Sequence, residues 1–373
     1  MQQDYSRCPS HWRPMARDSP LPTTVVGSLP RPPDLIEASS AYAKDRTDAN
    51  RRRVDAAVEK ALAENLRRQA AIHGLNEISD GEPWKRYGFA LYPIQGAEDA
   101  FRFGEGVTIA FEDGHARRLP LLVKKPALTE SSLAHFRAAR TQAGGRPLKA
   151  AIISPSALAL AYQKDVSGYP KEAFVQDVLG YLEGDAKAVL KEGASHVQVD
   201  VTEAPIFFQL AGADGVRQVI ELNNELLARL PREKTQVHVC FGSDARAEHS
   251  KGVGYRDLWP ALADLKTDGL VLQFAGRREQ DLDLLDGSIL TPTTRVFVGA
   301  VDVSNTIPES PAAVAGIAQR AARRLGVEHL GLTTNCGFSP FGNDPTMPRD
   351  VAFAKLEALG TGALQASARL GLA

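Results

Sequence analysis

The chain has 373 residues, with 44 Lys plus Arg, 45 Asp plus Glu and a formal net charge of −1. Nothing in that balance suggests the basic surface that a polyanion selects, so no nucleic-acid partner is expected. Hydrophobic residues make up 43%, ordinary for a globular protein, and no run approaches the ~18 apolar residues of a membrane span.

Residues 1–20, MQQDYSRCPSHWRPMARDSP, are polar, broken by proline and lack an apolar leader core. They read as a flexible arm ahead of a single domain over 21–373. The first β-like run is TTVVGS (23–28). A helix follows, in which Val54, Val58, Ala61, Leu62, Leu66 and Ala70 recur at steps of three and four. NEISDG (76–81) is the second run. Residues 85–145 then break the alternation. There GVTIAFEDGHARRLPLLV carries two β-like runs around an Asp-Gly turn signal. It reads as a hairpin inserted after the second strand, a lid or a homodimer contact.

Six more runs follow: LKAAIIS (148–154), HVQVDV (196–201), TQVHVC (235–240), GLVLQF (269–274), RVFVGAV (295–301) and HLGLTT (329–334). Helical periodicity separates them, clearest over 171–193 and 311–326. Strands alternating with helices pair in parallel. Eight of them at this length predict an α/β fold, a (β/α)8 TIM barrel.

A barrel gathers its chemistry at the C-terminal ends of its strands. The polar residues there are Ser28, Asp80, Glu82, Ser154, Asp200, Glu203, His238, Cys240, Gln273, Asp302 and Cys336. His238 and Cys240 are two apart in a strand and share one face. Two readings compete for them: packed core side chains, or ligands of one metal. Cys336 at the end of another strand favours the metal. Zinc takes Cys sulfur and His nitrogen and keeps an open position at catalytic sites. Gln273 is a weak fourth ligand or a plain hydrogen-bonding residue. His249, in the loop after Cys240, is a candidate ligand or acid, and Asp302 joins the catalytic set. The other cysteine is Cys8; so sparse and odd a set argues for a reducing, cytoplasmic setting. A thiol bound to zinc is deprotonated at neutral pH and becomes a nucleophile.

TTVVGSLPRP, SDGE, VQVDVTEAP, VHVCFGSD and LGLTTNCGFSPF, in that order, resemble the C-terminal half of cobalamin-independent methionine synthase. The spacing looks closer still to its short single-barrel relatives, which include epoxyalkane:coenzyme M transferases. The resemblance covers roughly residues 21–365. It implies a TIM barrel with zinc held by His, Cys, Glu and Cys. His238, Cys240 and Cys336 match three of those positions, and Gln273 falls where the carboxylate would be. It also implies that Ser28, Glu82 and Asp200, with Glu203 beside them, orient a thiol substrate such as homocysteine or coenzyme M. Where methionine synthase carries an acid histidine after the seventh strand, this chain has Ser304. A corrinoid methyl or an epoxide is therefore an easier alkyl donor than a folate.

The leading expectation is a zinc-dependent alkyl or methyl transferase acting on a small thiol. Arg246, Arg277 and Arg278 are candidates to meet an anionic tail. A C–S lyase running the same chemistry in reverse is a close variant. The competing classes are a metal-free decarboxylase resembling uroporphyrinogen decarboxylase and a non-enzymatic zinc or thiol binder.

Overall fold

The computed structural model describes residues 19–250 and 252–372. The expected arm lies outside the described residues except for Ser19 and Pro20. Ser19 is buried and its hydroxyl is 3.0 Å from that of Ser367.

The helix α1 (Pro33–Lys44) opens on a proline, whose missing N–H is harmless in a first turn. The helix α2 (Asp48–Ala70) is capped by the Thr47 side chain, which accepts from the Asn50 backbone N–H. Its expected apolar stripe is inward: Val54, Ala61, Leu62 and Leu66 are buried. The insertion comes next. Its strands are β1 (Phe101–Arg102), β2 (Thr108–Ala110), β3 (Ala116–Arg118) and β4 (Leu121–Leu122). They form two antiparallel pairs, β1 with β4 and β2 with β3. Gly114, at φ 92°, supplies the left-handed residue of the hairpin turn. The last part of the expected insertion is a wall element: α3 (Ser132–Gln142) packs on α2.

Six of the eight expected runs are regular strands. They are β5 (Ala150–Ile153), β6 (Val197–Asp200), β7 (Thr235–Val239), β8 (Gly269–Leu272), β9 (Arg295–Val301) and β10 (Leu330–Thr334). They lie in that order in one parallel sheet. The connections carry α4 (Pro155–Ala159), α5 (Lys171–Lys191), α6 (Ala204–Leu227), α7 (Tyr255–Leu262) and α8 (Pro311–Leu325), and α9 (Arg349–Arg369) follows β10. The two remaining runs close the ring by single bridges. Thr23 pairs in parallel with Leu332, and Ile78 with Leu148. Between them Glu77 N–H donates to the Thr23 carbonyl at 3.1 Å. Pro20 and Pro22 lack N–H donors, so the pairing cannot extend far before Thr23, although the Pro22 carbonyl accepts from Leu332 N–H at 2.9 Å.

The barrel interior is partly polar, unlike the aliphatic layers usual for this fold. Buried Lys149 donates to Gln198 at 2.6 Å and Gln236 at 3.2 Å, and burial lowers its pKa to about 8. Glu77 accepts from Thr24 and Ser195, each at 2.6 Å. Among the described residues no helix is long and apolar enough to cross a membrane.

Candidate metal centre

β7 alternates sides, so His238 and Cys240 emerge from the same face at its end. Cys336 arrives from the turn after β10. The ligand atoms of His238, Cys240 and Cys336 all lie within 4.8 Å of one another, and all three residues are buried. The two sulfurs are 3.3 Å apart, beyond the ~2.05 Å of a disulfide. Both cysteines are free thiols.

The histidine geometry is the telling part. His238 Nδ1 is 3.0 Å from the Val271 carbonyl oxygen, an acceptor, so Nδ1 carries the proton. Nε2 is then the atom left to face the thiols; it is buried and makes no hydrogen bond of normal geometry, although burial is opposed by the neighbouring Cys336, which raises the imidazole's pKa. An unpaired buried nitrogen costs about 1–3 kcal/mol unless something satisfies it. A metal ion would, and a ligating imidazole commonly anchors its other nitrogen on a carbonyl in this way. The thiols also suit a cation. A hydrogen bond from Cys240 holds Cys336 well below the usual thiol range, and the same bond pushes Cys240 up. The donor set, two sulfurs and one nitrogen, fits zinc.

Beside this cluster lies a small cavity of about 260 Å³. Ser28, Glu82, Asp200, His238 and Cys336 line it together. Here Ser28, Glu82 and Asp200, far apart in sequence, become neighbours of the thiols. Gly337 permits the close approach of the first and last strand ends: a Cβ there would sit 2.1 Å from Ser28 Oγ. Asp200 accepts from Gln198 Nε2 at 2.7 Å, and burial raises its carboxyl pKa to about 7. Glu82 holds a left-handed backbone at φ 59°. Such strain tends to persist where surrounding contacts fix it. Those contacts are Glu82 N–H donating to Asp80 Oδ1 at 2.8 Å and Arg31 donating to the Glu82 carbonyl at 3.0 Å. Asp80 therefore organises the turn. The Glu82 carboxylate pairs with buried Lys85 at 2.9 Å, while its Oε2 has no partner. Nothing in the local pattern signals that Lys85, flanked by an aromatic and an arginine, would be buried here.

A second, larger cavity also reaches Cys240 and Cys336, with about 780 Å³ including its open mouth. Glu203 and His249 line it. Glu203 accepts from Ser154 at 2.8 Å and from Ser156, and burial pushes its carboxyl up. His249 is bonded to Ser250 Oγ at 2.7 Å; burial, helped by the nearby Arg278 charge, lowers its pKa to about 4. It is a neutral imidazole at pH 7.

Two expected site residues are elsewhere. Gln273 lines neither cavity. Its amide oxygen accepts from Phe241 N–H at 3.1 Å and its NH2 donates to Glu248 at 2.7 Å. The hydrogen-bonding alternative for Gln273 is the one the geometry carries. Asp302 also lines neither cavity; it accepts from Ser304 N–H and Asn305 Nδ2, each at 2.8 Å, and so shapes its own loop. Of the arginines, Arg277 pairs with Glu112 and Arg278 with Glu248, and Arg246 is exposed. The insertion, expected as a lid or a homodimer contact, contributes to the larger cavity, through side chains the sequence reading did not name. Ile109 and Phe111, two apart, and Arg117 and Leu119, two apart on the paired strand, all line it. That i, i+2 pattern was the available signal.

Comparison with known proteins places this geometry. Residues 21–349 match the model of the cobalamin-independent synthase catalytic domain. The 2-hydroxypropyl-CoM lyase of Xanthobacter autotrophicus is 23% identical over 92% of this chain and 94% of its own length. The methionine synthase of Thermococcus kodakarensis is 26% identical over 90% of each chain. A B12-independent methionine synthase from Shewanella sp. W3-18-1, solved with selenomethionine, superposes with a TM-score of 0.72 at 23% identity, covering 94% of this chain and 98% of its own. The relatives are transferase- and lyase-type enzymes. With 329 of its residues (21 to 349) under one family model, this chain belongs to the cobalamin-independent synthase catalytic-domain family.

Proposed function

We propose that the protein is a zinc-dependent alkyl or methyl transferase whose acceptor is a small thiol. The observation that carries the reading is the unpartnered, buried Nε2 of His238 facing the two free thiols. His238, Cys240 and Cys336 would hold the ion, and the three leave a fourth position for substrate. Zinc bound there supplies a substrate thiol in its thiolate form at neutral pH.

The chain's own residues do the rest. Ser28, Glu82 and Asp200 orient the polar end of the thiol in the small cavity. Lys85 neutralises Glu82, so that cavity suits a neutral or singly charged head group. His249 and Glu203 sit on the side from which the alkyl donor arrives. A C–S lyase is the same site run in reverse, and the Xanthobacter relative's name supports that direction equally. The metal-free decarboxylase reading is weaker. It calls for cations on substrate carboxylates, and the larger cavity offers only Arg117, which is engaged by Asp244 and Asn343.

The test is metal analysis of the purified protein and of Cys240→Ser and Cys336→Ser. One zinc per chain, lost in both variants, is the expected result, together with product formation that depends on an added thiol. A wild-type chain without zinc under zinc-replete expression would return the decarboxylase to the front.

A further inference from the structure

We propose that the larger cavity is a binding site for an uncharged, chiefly hydrocarbon substrate arm several carbons long, placed against the reacting sulfur. The inference rests on the thiol-transfer reading and names the class of its second substrate.

The two cavities meet at Cys336, which lines both together with Phe89, Thr202 and Pro340. A molecule reacting there has one end in each. The polar end has Ser28, Glu82 and Asp200. The other end has a wall of a different kind. Leu91, Ile109, Phe111, Leu158, Ile206 and Phe341 surround it, drawn from the insertion, α4, α6 and the loop after β10. Its space, about 780 Å³ with the open mouth counted, is more than one methyl group fills.

The few polar side chains in that wall have no free charge to offer. Arg117 is bound bidentately to buried Asp244 through Nε and Nη2, with Nη1 on Asn343 at 3.1 Å. Glu203 is tied to Ser154 and Ser156, which leaves only Oε2 without a partner. His249 is held by Ser250 and is neutral. A folate tail or a phosphate would bury its anionic groups there without a counter-charge, which is strongly unfavourable. A hydrocarbon arm loses nothing.

The hairpin is what makes the wall. His115 Nε2 is 2.9 Å from Asp244 Oδ2 and Glu112 N–H donates to the Glu248 carbonyl at 2.9 Å, so β2 and β3 are fastened over the barrel mouth. Ile109 and Leu119 then face inward as part of a fixed surface.

The test uses three uncharged thioethers, the ethyl, butyl and hexyl 2-hydroxyethyl sulfides, titrated calorimetrically into the zinc-loaded and the chelator-stripped full chain. A buried methylene tightens binding roughly fourfold, so hexyl should bind roughly 200-fold tighter than ethyl. The trend should persist without metal, because the apolar side chains proposed to contact the arm are not the ion's ligands. Ile109→Glu and Leu119→Glu, on the partly exposed hairpin, should reduce the gain below twofold per methylene. Wild-type affinity independent of arm length overturns the proposal, as does folic acid binding tighter than the hexyl compound and displacing it. The metal reading fails separately, through loss of zinc stoichiometry, and a chain-length trend in a metal-free protein would still stand.

Discussion

Lys85→Met is the sharpest probe of the small cavity. Lys85 is 1% exposed and donates to Glu82 Oε1 and the Ala151 carbonyl, each at 2.9 Å, while its ammonium lies 4.7 Å from the Tyr92 ring centre. Methionine keeps most of the volume and removes the charge. Glu82 would then be a buried carboxylate whose Oε1 has lost its cation and whose Oε2 already has no partner. Breaking one side of a buried pair costs about 3–5 kcal/mol. Urea unfolding at pH 7 should show a loss of that size in Lys85→Met, with the slope unchanged. Glu82→Gln in the same background should recover more than half of it, because the unpaired charge is gone. A Lys85→Met variant within about 1 kcal/mol of wild type would refute the reasoning, since the pair would then be solvated.

Three further outcomes follow from the geometry. His249 titrates near ~6.5 in the unfolded chain and about 4 when folded, so the unfolded chain takes up the proton first. Its contribution is complete above pH 6.5, is lost as pH falls to 4, and amounts to roughly 3 kcal/mol; His249→Gln should flatten that acid limb, and parallel curves for the two proteins would contradict it. Gln273→Glu should set a second carboxylate against Glu248 and destabilise by about 2–4 kcal/mol without changing zinc stoichiometry; tighter metal binding in this variant would place residue 273 at the ion after all. Asp244→Ala removes the acceptor that fastens His115 and Arg117, so limited proteolysis within residues 111–115 should accelerate about tenfold; an unchanged rate would show the hairpin is held otherwise.

The barrel was legible because its signal is periodic. Six apolar runs became ladders, and the helix marked by Val54 to Leu66 buries that stripe. The first two runs read like strands but make single bridges, because apolar content marks a buried segment without saying how many residues pair. The thiol cluster was legible once the barrel was assumed, because His238, Cys240 and Cys336 all sit at strand ends. Gln273 and Asp302 share that address, yet one points its amide at Phe241 and Glu248 and the other folds onto its own loop. Strand-end position fixes neighbourhood, not side-chain direction. The hairpin was expected as a lid or a homodimer contact, but Lys85 and the hairpin side chains that line the cavity were not foreseen, because their partners are set by tertiary packing alone.

The central claim is most directly tested by zinc-edge X-ray absorption on the purified full chain, before and after adding homocysteine or coenzyme M. The account predicts two sulfurs at about 2.3 Å and one nitrogen at about 2.0–2.1 Å, with a further sulfur entering on thiol addition. A shell of nitrogen and oxygen alone, or one that neither thiol alters, would contradict it.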